Sequence, residues 1–447
     1  MESLLYKTFG DSIVISGKHA LLLILLVVTI TIIDSQFVNT FYGTNLGSPN
    51  NLHLLLFGSF VIIALVINII LLHFSRKKYT SIKTDRKPLF KASYVITSVV
   101  QYTIFTILFI TLGEIIVIQG YSKIISLLVV YLSHFCVAAI LGLVSITFIQ
   151  WFRIVRSFAI LTYGIVFIVV IFLLLITIPL TTEQYTERQP NIIHPIDYIL
   201  LIGRAPLPSD EIAFIFSLGN FVLPLMIIFM WILTTSLLKP YINNIGKIPF
   251  WILVSIPLIY QLFTFLIRDA NLTTDLALDI LYSRPFQFLM SISYHISGLF
   301  FALAFLALAR KTKRKVMKNY LIISSLGIVL LFSSMQPGMP FYTPYPPFGL
   351  VTLSLLGLSS YLLLEGFLGC AAYVSRDSKL KRELQLDIRS DILNKMGTAE
   401  MQYEIERRIL PLVKKIELSD DMRDQMDPSD EDVRLMIDEI LKEMHKS

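Results

Sequence analysis

Charge, cysteine and catalytic signatures are all scarce in this sequence. Only 16% of its 447 residues are Asp, Glu, Lys or Arg, against about 25% in soluble domains. That is too little polar side chain to cover a water-facing body of this length. The two cysteines, Cys136 and Cys370, both fall inside hydrophobic runs. They exclude a disulfide framework and a CxxC metal or redox pair. The charged C-terminal stretch has no Gly-rich phosphate loop, no GxxxxGK[ST], no HExxH and no kinase catalytic set. Its single histidine, His445, lies two residues from the end, no place for a phospho-acceptor helix. The expectation is a protein without catalytic residues, cofactor or metal.

Apolar residues, by contrast, make up 55% of the chain. They come in blocks of roughly twenty, the length that a hydrocarbon layer about 30 Å thick selects at 1.5 Å of rise per residue. Backbone amides in lipid must be bonded internally, so such blocks are helices, and the alternating strands of a barrel are absent. The fold class expected is all-α: a polytopic transmembrane bundle of about ten spans over residues 1–375. The spans read as 14–34, 51–73, 92–118, 121–150, 158–179, 211–238, 250–267, 286–309, 319–335 and 348–373. The first has the h-region length of a signal peptide, but Asp34-Ser35-Gln36-Phe37 follows with no small-x-small cleavage site, which reads as a retained span.

Positive charge alternates between loops. Those after spans two, four, six and eight hold 7, 2, 2 and 6 Lys/Arg; those after spans one, three, five, seven and nine hold 0, 1, 2, 2 and 0, counting Lys123 at the edge of span four. Cytoplasmic loops carry such an excess, which places both termini inside a plasma membrane. The same pattern reads the basic residues as orientation signals beside lipid, not as a nucleic-acid surface. Two external segments stand out. Residues 180–210 carry four prolines and an apolar stretch, Ile196 to Ile202, expected at the outer interface. Residues 336–348 alternate proline and aromatics, which suits an interfacial aromatic belt or an external lid.

The last 72 residues, 376–447, are acidic by four and form a cytoplasmic helical tail. Leu380, Leu384, Ile388 and Ile392 recur every fourth residue, so span ten is expected to continue as an amphipathic helix until Gly397. Thr398 then starts a helix with Met401, Ile405, Ile409, Leu412 and Ile416 on one side. A third begins at Ser429 as N-cap, with Asp432 three residues later in an arrangement resembling a capping box. Three apolar stripes imply a cytoplasmic protein partner or self-association through 376–447. The stretch from Ser375-Arg376-Asp377-Ser378-Lys379-Leu380 through Gly397-Thr398-Ala399-Glu400-Met401 resembles the tail of uncharacterised archaeal multi-pass membrane proteins. The resemblance covers fewer than forty residues and implies shared architecture, without catalytic residues.

Ionisable groups inside spans are costly and so are candidate sites. Glu365, about two turns from the inner end of span ten, is too short to reach water and must face a cavity, a partner or another helix. Gly366 and Cys370 form a small-xxx-small step beside it. His134 near mid-membrane and His295 in the outer half of span eight suit interhelical hydrogen bonds, with a proton or metal role as the alternative. Met335 and Met339 add soft donors near His295, without a spacing that imposes a copper site. Glu114 lies near enough to the outer face to reach water. Gly219, Asn220 and Pro224 mark a possible helix break of the kind that builds transporter sites, or an ordinary proline kink. Span one has no matching interruption, so a five-plus-five inverted repeat is disfavoured. The function expected is a sensor or scaffold acting through its tail; the alternative is a secondary transporter.

Overall fold

The computed structural model describes residues 22, 24–34, 51–79, 87–186, 192–193, 210–239, 242, 246–252, 254–255, 257–259, 284–312, 314–335, 345–377, 380–381, 384 and 391–417. The described residues are 94% helical. In chain order the helices are α1 (Ile24–Asp34), α2 (Asn51–Tyr79), α3 (Lys87–Ile118), α4 (Lys123–Val155), α5 (Phe158–Thr186), α6 (Asp210–Leu238) and α7 (Lys247–Ile259). They continue with α8 (Arg284–Lys311), α9 (Lys315–Ser334), α10 (Leu350–Ser354), α11 (Leu356–Arg376) and α12 (Asp391–Glu417). Among the described residues, seven helices are long and apolar enough to cross a membrane: α2 to α6, α9, and α10 with α11. The apolar parts of α1, α7 and α8 fall at the other three expected positions but are shorter within the described residues, so seven of the ten expected spans are matched by length there.

The outward faces explain the composition. On α2, Leu55, Ile62, Val66 and Ile69 are all exposed at helical spacing, and Val95, Ile96 and Val99 do the same on α3. Apolar faces this extensive suit lipid and would be a liability in water.

The bundle is built around α11. Every residue from 350 to 372 is buried by its neighbours, and α9 is nearly as enclosed. α11 packs against α9 on one side and α3 and α4 on another, while α8 flanks α9 and α2 meets α3, α10 and α11. Small residues permit the α9–α11 contact. A Cβ on Gly366 would fall 2.7 Å from the Ser324 backbone nitrogen, and one on Gly327 would lie 3.0 Å from the nitrogen of Leu363. Gly369, not Cys370, is the second small position beside Gly366, against the Tyr320 ring. Phe367 turns the other way into an aromatic cluster with Phe148, Tyr163, Phe167 and Phe305.

The last span is interrupted at Leu355, between α10 and α11. The serines there bond three residues back: Ser354 to Val351, Ser359 to Leu356 and Ser360 to Gly357. Hydroxyls that bond the preceding turn compete with the helical ladder and bend it. In α6, on the other hand, Gly219, Asn220 and Pro224 lie within one continuous helix, as the ordinary-proline reading has it and the transporter-type break does not. Membrane helices tolerate such a proline because neighbours re-satisfy the freed carbonyl.

Two short pairings close one end of the bundle. Tyr121–Ser122, at the α3–α4 turn, forms an antiparallel ladder with Ile192–Ile193. Tyr345 stacks on Tyr121 at 6.3 Å, and Phe348 sits edge-on to Phe57 at 5.7 Å. The proline-aromatic loop therefore turns its described residues, 345–348, into the bundle as a plug; residues 336–344 lie outside the described set, as does Ile196–Ile202.

At the opposite end the tail folds back. α11 stops at Arg376, and Asp377 adopts extended backbone and accepts the Leu380 N–H through Oδ1 at 2.9 Å. The expected continuous helix is thus broken by an Asp cap, with neither Gly nor Pro needed. Gly397 does not end a helix: α12 runs through it, and its missing Cβ lets the helix cross Val374. Leu380, Leu384, Ile392, Leu393, Met396 and Ala399 are buried in the same core as the bundle. The third expected helix, from Ser429, lies outside the described residues.

Candidate functional site

Sequence reading placed four ionisable residues inside the bundle, and the structure gives each a position. Glu114 closes the α3–α4 hairpin: its Oε2 accepts the Ser122 N–H at 2.9 Å. His134 donates from Nδ1 to the Val130 carbonyl of its own helix at 2.8 Å. His295, fully buried, reaches Thr31 on α1, Nε2 to Oγ1 at 3.1 Å. The Thr31 hydroxyl hydrogen is committed to the Val27 and Val28 carbonyls, so His295 Nε2 is the donor. Neither histidine is placed as a metal ligand, and among the described residues no three His, Cys, Asp or Glu side chains group closely enough to hold an ion. Met339 lies outside the described residues.

Glu365 is fully buried at the centre of α11. Tyr361, one turn before it, meets Tyr94 of α3 at 6.1 Å. Residues four apart share a helix face, so Glu365 lies on the face turned towards α3. Gly366 beside it holds the helix against α9.

Three further polar contacts were missed from sequence. Asp34, the last residue of α1, is fully buried and caps α10 from another helix. Its Oδ1 accepts the Gly349 N–H at 3.1 Å, and its Oδ2 accepts the Thr352 N–H at 3.0 Å and hydroxyl at 2.6 Å. Gly349, at φ 92°, has no side chain to serve as N-cap, so Asp34 supplies the acceptor that an Asp or Ser in that place would. Gln101 of α3 donates its amide to the Ser354 carbonyl, 3.0 Å away, at the α10–α11 interruption. Trp151, near the end of α4, donates its indole N–H to Glu400 Oε2 of α12 at 2.9 Å, and both residues are fully buried. Arg376 and Glu404 add a looser ion pair at 3.9 Å. Burial at this junction pushes the Lys381 ammonium below its ordinary range.

A glycine with no capper nearby and a lone acid ending an apolar run were the available signals for Asp34. Nothing in the sequence links Trp151 to Glu400 across 249 residues. No protein-family model, curated protein or solved structure matches the chain.

Proposed function

We propose that this is a non-enzymatic membrane relay, in which the central helix α11 carries a change inside the bundle to the helix docked beneath it. On this reading the chain crosses the plasma membrane about ten times with both termini inside, as its loop charges require. The observation that carries the reading is the junction of α11, α4 and α12. α12 crosses Val374 at Gly397, and its Glu400 is bonded to the buried Trp151. A tail that served only as a tether would not bury a carboxylate against the bundle, because a buried charge must be paired to be tolerated. The bundle itself covers Leu380, Leu384, Ile392, Leu393, Met396 and Ala399, which leaves the rest of the tail for a cytoplasmic partner. Any movement of α11 at Glu365 is passed to α12 through packed side chains, not through a flexible linker.

The test is an insertion of Gly-Gly after Ser375. Glu365→Gln is expected to alter amide exchange across residues 396–405 in the parent and to leave it unaltered in the insertion form. Absence of any change in the parent refutes the relay. A second reading, transport of a solute, draws on the buried polar side chains of α2, α3 and α4; solute flux that persists in the insertion form would favour it.

A further inference from the structure

The middle of the bundle holds polar atoms that its packing does not satisfy. Asn68 on α2, Thr97 and Gln101 on α3 and Ser133 on α4 are all fully buried. Among the described residues, no hydrogen bond reaches Asn68 Oδ1 or Nδ2, Gln101 Oε1, Thr97 Oγ1 or Ser133 Oγ. Thr97 adjoins the Cys136 thiol, but without hydrogen-bond geometry. Burying such a group unbonded forfeits the hydrogen bonds it would make in water, and a bundle that needed only packing would carry leucine there.

These groups lie at one depth. A Cβ on Gly357 would sit 2.9 Å from Gln101 Nε2 and 3.5 Å from Cys136 Sγ, so α3, α4 and α11 meet there. Ser133 is one turn from Cys136 on the same face, and Thr97 one turn from Gln101. Phe57 and Phe60 of α2 touch Phe348. Asn68 lies about 12–16 Å further along α2, and Gly357 about 13 Å further along its own span, at 1.5 Å per residue. Asn68 belongs to the buried stripe Val61, Ala64, Asn68, Leu71 and Ser75, the face turned from lipid. The orientation of the Gln101 amide is fixed, because only its nitrogen can donate to the Ser354 carbonyl; Oε1 therefore points away from that bond.

We propose that Asn68, Thr97, Gln101 and Ser133 form a binding site for a small neutral molecule carrying both donors and acceptors, an amide or a urea. The two side-chain carbonyl oxygens accept, the Asn68 amide and the two hydroxyls donate, and none of the four carries a formal charge to balance an ion. Glu365 lies two turns beyond Gly357 on α11, towards the docked tail. The site thus deepens the relay reading by naming the class of molecule that α11 would report, although binding itself does not depend on that reading.

Iodoacetamide tests the site directly, because it is a small neutral amide and Cys136 adjoins the site. Cys370, also buried (2% exposed against 6% for Cys136) and set elsewhere on α11, is the internal control, so protection by acetamide and not rate alone decides the test. In folded protein in lipid, Cys136 should be alkylated about tenfold faster than Cys370, as access governs thiol reactivity. Unreactive acetamide should slow Cys136 alone, and Gln101→Leu should weaken that protection. Equal, slow alkylation of both cysteines overturns the proposal, as does alkylation of Cys136 that acetamide fails to slow. The protection measurement on the parent protein stands even where Gln101→Leu does not fold. Protection without any change in exchange at 396–405 would retain the site and refute the relay.

Discussion

Replacing Gly366 by alanine places a methyl group where α9 and α11 are in backbone contact. The added carbon would lie 2.7 Å from the nitrogen and 2.9 Å from the Cα of Ser324, with Ser324 Oγ its nearest neighbour. Carbon contacts are comfortable at about 3.5–4.0 Å. The hydroxyl can rotate aside, but the Ser324 backbone cannot, so the helices must separate by roughly 1 Å. Overpacking of this kind costs about 1–3 kcal/mol. Gly142 and Gly113 supply the control, because a Cβ at either meets nothing within 4 Å. Alanine at those positions is expected to be neutral, or to gain up to about 1 kcal/mol of helix propensity. Thermal unfolding of the three variants in one lipid–detergent mixture, followed by tryptophan fluorescence, reads the difference. Gly366→Ala melting at or above the parent would refute the close-packed α9–α11 crossing.

Asp34→Ala removes three hydrogen bonds at the start of α10 and is expected to cost about 2 kcal/mol, the upper range for a helix cap, read in the same melts. Asp34→Asn retains part of the cap and should fall between. Trp151→Phe keeps the ring packing with Phe148 but withdraws the donor from Glu400, at about 1–3 kcal/mol; unchanged tail proteolysis would contradict it. Cysteines at Thr312 and Ser81 should resist membrane-impermeant thiol reagents in intact cells while one at Ser48 reacts, as the loop charges require. Labelling of Thr312→Cys from outside would reverse the orientation.

The element positions were legible because lipid length and apolar run length are coupled: α2 to α6 fall on the segments read from sequence, with ends that differ by up to two helical turns. Single-residue interruptions were not. Asp377 breaks a run whose fourfold periodicity continues on both sides, since a cap depends on local backbone geometry that periodicity does not record. Gly397 carries the usual signature of a helix end, yet serves a crossing with Val374, and only the partner helix distinguishes the two uses. Glu365 and His295 were found because charge or imidazole within an apolar run is rare. Gln101 and Asn68 escaped notice because neutral amides are inexpensive enough in helices to look incidental, and their significance depends on what faces them.

The claim on which the relay rests is that α12 is part of the same packed body as α11. Hydrogen–deuterium exchange of the full chain in lipid nanodiscs measures it directly. Residues 396–405 should exchange as slowly as the core of α11, and should quicken when Trp151→Phe and Glu400→Gln are combined. Exchange of that segment at the rate of a free peptide in the parent protein would contradict the account.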